Sequence, residues 1–188
     1  DIQLDAQLLE QAGVEVAFVG PDNFAAAYEV GKLLGKKLRN EDKVAIIEGL
    51  AVADNARQRK RGFIKAIEEK GLRLVASEPA DWETEKAAEV FQAMWMRYPD
   101  LKAVYCSNDA MALGVLQQMQ EKKCYLPVVG FDNDAVMKEF LSTGKLVATA
   151  DIFSSQMAVR GIEFALDVLE GRIENRGVHS TAYEIIKQ

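Results

Sequence analysis

The sequence predicts an α/β fold in which a mainly parallel sheet is built from repeated strand–helix units. Short apolar runs alternate with longer segments that carry helical spacing of apolar residues, which is typical of βαβ units. In the clearest unit, an apolar run at residues 103–105 passes through a polar turn at 107–109 into a helix over 110–120. The same order recurs after Pro127, where the apolar run at 128–131 leads into an acidic turn.

Seven apolar runs are predicted as strands, at residues 14–19, 44–47, 72–77, 103–106, 128–131, 146–150 and 183–186. The run at 44–47 is apolar without a break, as expected of a strand buried on both faces of a sheet. Turn-forming residues such as Gly20, Pro21 and Gly144 lie beside the runs and separate them from the helices.

Helical spacing predicts helices at residues 5–11, 83–96, 110–120 and 156–170, two more that end near residues 39 and 70, and one that follows residue 134. Three of them have candidate N-caps: Asp22 or Asn23, Asp54 or Asn55, and Ser154 or Ser155. Asp109 is predicted to cap the helix at 110–120, which would leave Asn108 free. Gly71 is a natural C′ residue for the helix before it.

The composition indicates one globular core and excludes several partners. Of the 188 residues, 49% are hydrophobic and the formal charge is −6, which suits a compact domain. The basic cluster at residues 57–61 is too small for a nucleic-acid surface. The apolar stretches are too short to span a bilayer.

The two cysteines, Cys106 and Cys124, are predicted to be free thiols. Cys106 ends one strand and Cys124 precedes the next, so parallel pairing places them at opposite edges of the sheet. That separation exceeds the roughly 4.4–6.8 Å between Cα atoms that a disulfide needs.

Four polar or aromatic side chains follow four different predicted strands: Arg57, Trp82, Asn108 and Asp132. Ligands of open parallel sheets bind at the carboxyl ends of the strands, so we expect the four to share one surface. Each also has a structural interpretation: Asp132 or Asn108 as a helix cap, Arg57 as a solvated helix residue, and Trp82 as a cover over the sheet edge.

Together these groups suit a neutral polyhydroxylated ligand. A hydroxyl both donates and accepts hydrogen bonds, so a carboxylate, a guanidinium and an amide can all bind it. The indole of Trp82 offers a flat apolar wall for the C–H face of a sugar ring.

An enzyme is the competing interpretation. The chain has no phosphate-binding loop, dinucleotide fingerprint, nucleophile elbow or metal-ligand spacing, so no catalytic residue, cofactor or metal is predicted. Its single histidine, His179, lies in the tail. Glu48 with Asp132 could imitate a glycosidase carboxylate pair, but Glu48 is expected to be held by a backbone or cationic partner.

Four blocks, at residues 55–63, 80–84, 106–114 and 128–132, resemble the sugar-binding type I periplasmic binding proteins, the ribose- and galactose-binding proteins in particular. The resemblance covers essentially the whole chain. It implies a three-layer, Rossmann-like lobe with a mainly parallel sheet. It also implies a two-lobed receptor that closes on a monosaccharide and delivers it to a membrane ABC permease or a chemoreceptor. The location would be the periplasm, or the cell surface with a lipid anchor in a Gram-positive organism.

By this resemblance, Arg57 binds ring or hydroxyl oxygens, Trp82 stacks on the sugar, and Asn108 and Asp132 bind hydroxyls. Weaker ligand positions are Asp54, Asp151 and Ile152. Ile152 stands where the family has a polar amide, so the identity of the sugar is left open.

The resemblance also implies that the amino-terminal lobe is missing. Residues 1–17 would be its remnant, 18–152 the carboxyl-terminal ligand-binding lobe, 153–181 a crossover helix that packs on the missing lobe, and 182–188 a terminal strand. Four apolar residues of that helix are expected to form an exposed face or a dimer contact: Met157, Ile162, Leu166 and Leu169. The alternatives in function are the effector domain of a lactose-repressor-like regulator and the periplasmic sensor of a histidine kinase.

Overall fold

The computed structural model describes residues 2–4 and 6–187. The helices are α1 Ala6–Gln11, α2 Asn23–Gly35, α3 Asp54–Lys70, α4 Thr84–Arg97, α5 Asp109–Glu121, α6 Lys138–Ser142 and α7 Ser154–Leu169. The strands are β1 Phe18–Pro21, β2 Lys43–Glu48, β3 Arg73–Pro79, β4 Ala103–Cys106, β5 Val128–Val129, β6 Leu146–Asp151, β7 Val178–Thr181 and β8 Glu184–Lys187. None of these helices is both long enough and apolar enough to cross a membrane.

Six strands form one sheet in the order β3-β2-β4-β5-β6-β8. The first five run parallel, and β8 pairs antiparallel with β6 at the edge. Strands β1 and β7 form a separate parallel ribbon. The predicted α/β architecture with a mainly parallel sheet is confirmed.

Helices cover both faces of the six-stranded sheet. On one face α2 and α3 pack Val30, Leu34 and Phe63 against the strands. On the other face α4 and α5 contribute Phe91 and Val115. The result is the expected three-layer lobe, in which the loops at the carboxyl ends of the strands remain open to a ligand.

Capping residues explain where α2 begins and where α3 ends. Asp22 caps α2 by accepting a hydrogen bond from the amide of Ala25 at 2.8 Å, and Gly71 ends α3 in the left-handed conformation, at φ 69°. The caps predicted for α3 and α7 were wrong. Ala53 and Phe153 occupy the N-cap positions of α3 and α7, and neither makes a side-chain cap bond.

The strands at the two ends of the chain differ most from the sequence prediction. The first strand begins at Phe18 rather than at residue 14, and β7 was not predicted at all. Its sequence, Val178-His179-Ser180-Thr181, is largely polar and exposed, so it lacks the apolar run by which a buried strand is recognised.

Helix α7 stands apart from the core, since none of its residues is buried. Ile162, Leu166 and Leu169 are exposed, Leu169 by 82%. Met157, which we expected on the same exposed face, instead packs against the core beside α2 and α3. An apolar helical stripe left in water is unusual in a monomeric domain.

The cysteines occupy different environments. Both Cys106 and Cys124 are free thiols. Cys106 is fully buried, and this burial raises the pKa of its thiol. An inert, protonated thiol follows from that environment.

The contact between α2 and α3 depends on Gly62. A Cβ atom at this position would fall 2.4 Å from the carbonyl oxygen of Phe24 and 2.8 Å from the amide of Tyr28. Because these are backbone atoms, we expect Gly62→Ala to lower the free energy of unfolding by about 2 kcal/mol. Urea denaturation of the two proteins measures it.

Gly161 provides the matched control, because a Cβ there meets nothing within 4 Å. Gly161→Ala is expected to raise the free energy of unfolding by about 0.5–1 kcal/mol through helix propensity. Equal effects of the two substitutions would contradict the close-packing explanation.

Candidate ligand-binding site

An open hollow of about 400 Å³ lies at the carboxyl ends of the parallel strands. It is lined by Ile2, Asn55, Arg59, Trp82, Asn108, Asp132, Asp134, Ile152, Ser154 and Met157. Three of the four predicted ligand residues are therefore brought together, each from a different strand end: Trp82, Asn108 and Asp132. The fourth, Arg57, is not among the lining residues.

Arg59 supplies the guanidinium of this hollow. It is only 2% exposed. Its Nε donates to Asn23 Oδ1 at 2.9 Å, and its Nη1 donates to the backbone carbonyl of Ser107 at 2.9 Å. The guanidinium stacks 3.7 Å from the centre of the Phe131 ring. Arg59 of α3 thereby contacts three other segments: the start of α2, the end of β4 and the turn after β5.

Burial lowers the pKa of Arg59 to about 10, although the nearby carboxylates of Asp132 and Asp109 oppose the shift. Asp132 Oδ1 lies 3.5 Å from Arg59 Nη1. The arginine therefore remains a cation at neutral pH, and it is held in place by protein acceptors before any ligand arrives.

Arg57, the arginine predicted from the sequence, lies elsewhere. Its side chain is 46% exposed and donates to the carbonyl of Val52 at 3.1 Å. Residues two apart on a helix face different directions, so Arg57 and Arg59 cannot both reach the hollow. The signal was present in the sequence, because Arg59 lies one helical turn before the buried Phe63.

Trp82 is placed by an unusual backbone. It has φ 71°, and Asp81 before it has φ 52°. The indole lies against Gly49, where a Cβ atom would fall 2.1 Å from the ring. Its ring also lies 5.6 Å from the guanidinium of Arg59. The half-buried indole thus forms a fixed aromatic wall.

Asn108 differs in detail from the prediction. It, and not Asp109, caps α5, since its Oδ1 accepts a hydrogen bond from the amide of Met111 at 2.9 Å. Asp109 is instead fully buried. The cap uses the oxygen of the Asn108 carboxamide, so its N–H groups are the atoms suited to a hydroxyl oxygen.

Asp132 follows β5 in a left-handed conformation, at φ 111°. Its amide donates to the carbonyl of Ala150 at 2.7 Å, and its side chain is 28% exposed. Burial raises the pKa of this carboxyl to about 6, while the charge of Arg59 lowers it and that of Asp134 raises it. At neutral pH it is an ionised acceptor.

The three weaker candidates have different positions. Asp54 lies outside the hollow, paired with Arg57. Asp151 uses both oxygens within the protein, accepting from Asn133 Nδ2 at 2.9 Å and from the amide of Phe153 at 2.7 Å. Only Ile152 lines the hollow, and it is 4% exposed.

The carboxylate of Glu48 is held by protein groups, as expected. It accepts from Lys60 Nζ at 2.7 Å and from Ser77 Oγ at 2.6 Å. It does not line the hollow that contains Asp132. Within residues 2–4 and 6–187, no three His, Cys, Asp or Glu side chains cluster in a way that could hold a metal ion.

The fold and this hollow define a class of protein: an α/β lobe with an open, polar hollow at the carboxyl ends of its parallel strands. Residues 2–173 match the family described as "Periplasmic binding protein domain". The chain belongs to the periplasmic binding protein family, which the resemblance of the four sequence blocks predicted.

Named relatives agree with this assignment. The D-ribose/D-allose-binding protein of Pseudomonas aeruginosa is 40% identical over 191 residues, covering 99% of this chain and 60% of that protein. The ribose import binding protein RbsB of Escherichia coli K12 is 34% identical over 171 residues, covering 90% of this chain and 57% of that protein. The chain therefore spans about 60% of the length of these relatives.

Solved structures show the same fold. An ABC transporter solute-binding protein from Burkholderia multivorans, with an unknown ligand interpreted as α-D-erythrofuranose, is 36% identical with a TM-score of 0.95. A periplasmic solute-binding protein from Actinobacillus succinogenes 130z with bound D-allose is 31% identical with a TM-score of 0.92. Each match covers 100% of this chain and 67% of the other.

The two arginines make a testable pair. Arg59→Met removes a buried cation and leaves Asn23 Oδ1 and the Ser107 carbonyl without their donor. We expect it to lower the free energy of unfolding by at least about 2 kcal/mol. The same substitution at the exposed Arg57 should change it by less than about 0.5 kcal/mol. Chemical denaturation at pH 7 measures both, and equal losses would contradict the placement of Arg59.

Proposed function

We propose that this chain is the ligand-binding lobe of a solute-binding receptor for a neutral monosaccharide or a similar small polyol. One observation carries the proposal: a guanidinium, an indole, an amide and a carboxylate meet around one hollow, from Arg59, Trp82, Asn108 and Asp132. The Pseudomonas aeruginosa relative, at 40% identity, bears the name of a ribose- and allose-binding protein.

The chemistry of the hollow suits hydroxyl groups. Asp132 can accept a hydrogen bond from a ligand hydroxyl, while Arg59 and the Asn108 amide can donate hydrogen bonds to hydroxyl oxygens. Trp82 can cover the C–H face of a sugar ring. Hydrogen bonds to the ionised groups are roughly twice as strong as neutral ones. A ligand that lacks one hydroxyl would leave a group unpaired, at about 1–3 kcal/mol.

The rest of the receptor is proposed from the family. An amino-terminal lobe, of which residues 1–17 would be the remnant, would close over the hollow by a hinge near Val19, Ile152 and Thr181. The lobe described here would comprise residues 18–152, followed by the crossover helix and the terminal strand. We further propose a periplasmic or lipid-anchored location and delivery of the sugar to an ABC permease.

Helix α7 would pack against that other lobe. Its apolar residues Ile162, Leu166 and Leu169 are exposed in the chain described here, and burial of such a stripe stabilises association. The alternative is that the isolated lobe dimerises through the same face. Light scattering over a range of concentrations tests this alternative, since a strict monomer excludes the dimer.

Binding by the complete gene product that contains this chain tests the proposal. Asp132→Asn and Trp82→Ala are each expected to weaken sugar affinity at least tenfold, about 1.4 kcal/mol, because each removes a ligand contact. Calorimetry with a panel of pentoses and hexoses measures the affinity. Lys60→Ala is the control, since Lys60 pairs with Glu48 outside the hollow. Arg57→Ala should also bind normally, and a tenfold loss would return Arg57 to the site.

Asp132 also predicts a pH dependence. Its raised pKa of about 6 means that it takes up a proton between pH 7 and pH 5. The protonated acid loses its charge-assisted hydrogen bond, so affinity should fall severalfold across that range. Calorimetry at several pH values measures the fall. Asp132→Asn should bind weakly with a flatter profile, and an unchanged profile in that variant would contradict the assignment.

A further inference from the structure

We propose that Asp109 and Thr149 form a buried latch that positions Asp132 for the ligand. The role toward a ligand rests on the proposed function, but the contacts of Asp109 and Thr149 do not depend on that function. Both residues are fully buried, and neither lines the hollow. They would act on the ligand only through the loop at residues 131–134, and are therefore positioning residues.

Asp109 makes hydrogen bonds to both ends of the loop at residues 131–134. Its amide donates to the carbonyl of Phe131 at 2.7 Å, and its Oδ2 accepts from the amide of Asp134 at 2.8 Å. Its Oδ1 accepts from the hydroxyl of Thr149 at 2.9 Å. Thr149 Oγ1 in turn accepts from the amide of Asn133 at 3.2 Å. Two buried side chains thus accept hydrogen bonds from the consecutive amides of Asn133 and Asp134.

The loop at residues 131–134 needs these hydrogen bonds because its backbone is strained. Asp132 and Asn133 are both non-glycine residues with positive φ, at 111° and 58°. The conformation of Asp132 costs of order 1–3 kcal/mol and persists only where the surroundings fix it, whereas asparagine adopts the left-handed conformation more readily. The approach is also close: a Cβ atom at Gly130 would fall 1.9 Å from Asp109 Oδ1.

A second carboxylate supports the loop from the other side. Asp151 accepts from Asn133 Nδ2 and from the amide of Phe153, the residue that precedes α7. The loop is therefore fixed between the end of β4 and the crossover into α7. Asp151, which the sequence suggested as a ligand, belongs to this support.

The ionisation of Asp109 is unfavourable to folding. Burial raises the pKa of this carboxyl to about 7, although the bonds from Asp134 and Thr149 lower it. An acid whose pKa rises on folding makes the folded state less stable as the pH rises from about 4 to 7. The contacts of Asp109 with the loop offer a positioning reason for an acid at this site.

The test compares Thr149→Val with Thr149→Ser in the complete gene product. The valine has the shape of threonine but no hydroxyl, so the Asn133 amide loses its acceptor. We expect amide exchange at Asn133 and Asp134 to accelerate at least tenfold, and sugar affinity to fall at least fivefold. The serine keeps the hydroxyl and should retain both values. Exchange by NMR and calorimetry provide the two readouts.

A core variant distinguishes positioning from general destabilisation. Ile67→Ala leaves a cavity at a buried position near the end of α3, outside the residues that line the hollow. It should lower the melting temperature while leaving affinity and loop exchange unchanged. Loop exchange in Thr149→Val that matches the parent would overturn the latch. Accelerated exchange with unchanged affinity would overturn its role toward Asp132. If the parent binds no sugar, the proposed function fails and the exchange data still decide whether the latch exists.

Discussion

The buried cation of Arg59 is the constraint on which the rim of the hollow depends. A charge that is 2% exposed is tolerated only with acceptors and counter-charges around it. Asn23 from the start of α2 and the Ser107 carbonyl from the end of β4 supply acceptors. Asp132 and the ring of Phe131, after β5, complete the surroundings. Satisfying one side chain therefore fixes the relative positions of three strand or helix ends.

This arrangement leaves the side chains that line the hollow little freedom. The Trp82 indole is held against Gly49, the Asn108 oxygen is occupied by the helix cap, and Asp132 sits in a fixed, left-handed turn. Binding groups that are ordered in advance lose less conformational entropy when a ligand arrives. The fixed side chains of the hollow would therefore lower the entropic cost of binding the proposed ligand.

The sequence predicted the sheet well because its inner strands are continuous apolar runs, such as residues 44–47. It predicted that Trp82, Asn108 and Asp132 lie together because each comes within a few residues of the end of a strand. The sequence prediction placed Arg57 in the hollow, where the structure has Arg59. Which side chain of a helix faces the strand ends depends on its position around the helix axis. The prediction used only the distance along the chain from the strand end. The exchanged roles of Asn108 and Asp109 depend on tertiary contacts with Thr149, which no local pattern reveals.

A lobe that contacts a ligand on one side only is expected to bind it weakly. Association costs several kcal/mol in lost translational and rotational freedom, and hydroxyls that face away from this lobe stay hydrogen-bonded to water. A second wall that excludes water strengthens every charge-assisted bond already present. The ribbon of β1 and β7 lies outside the six-stranded sheet. It packs on α7, where the rings of Phe164 and His179 have centres 4.4 Å apart, while the apolar residues Ile162, Leu166 and Leu169 of α7 stay exposed. Val19 of β1, Thr181 of β7 and Ile152 line one hollow, and Ile152 also lines the candidate site. These segments therefore adjoin the site that the proposed second lobe would close.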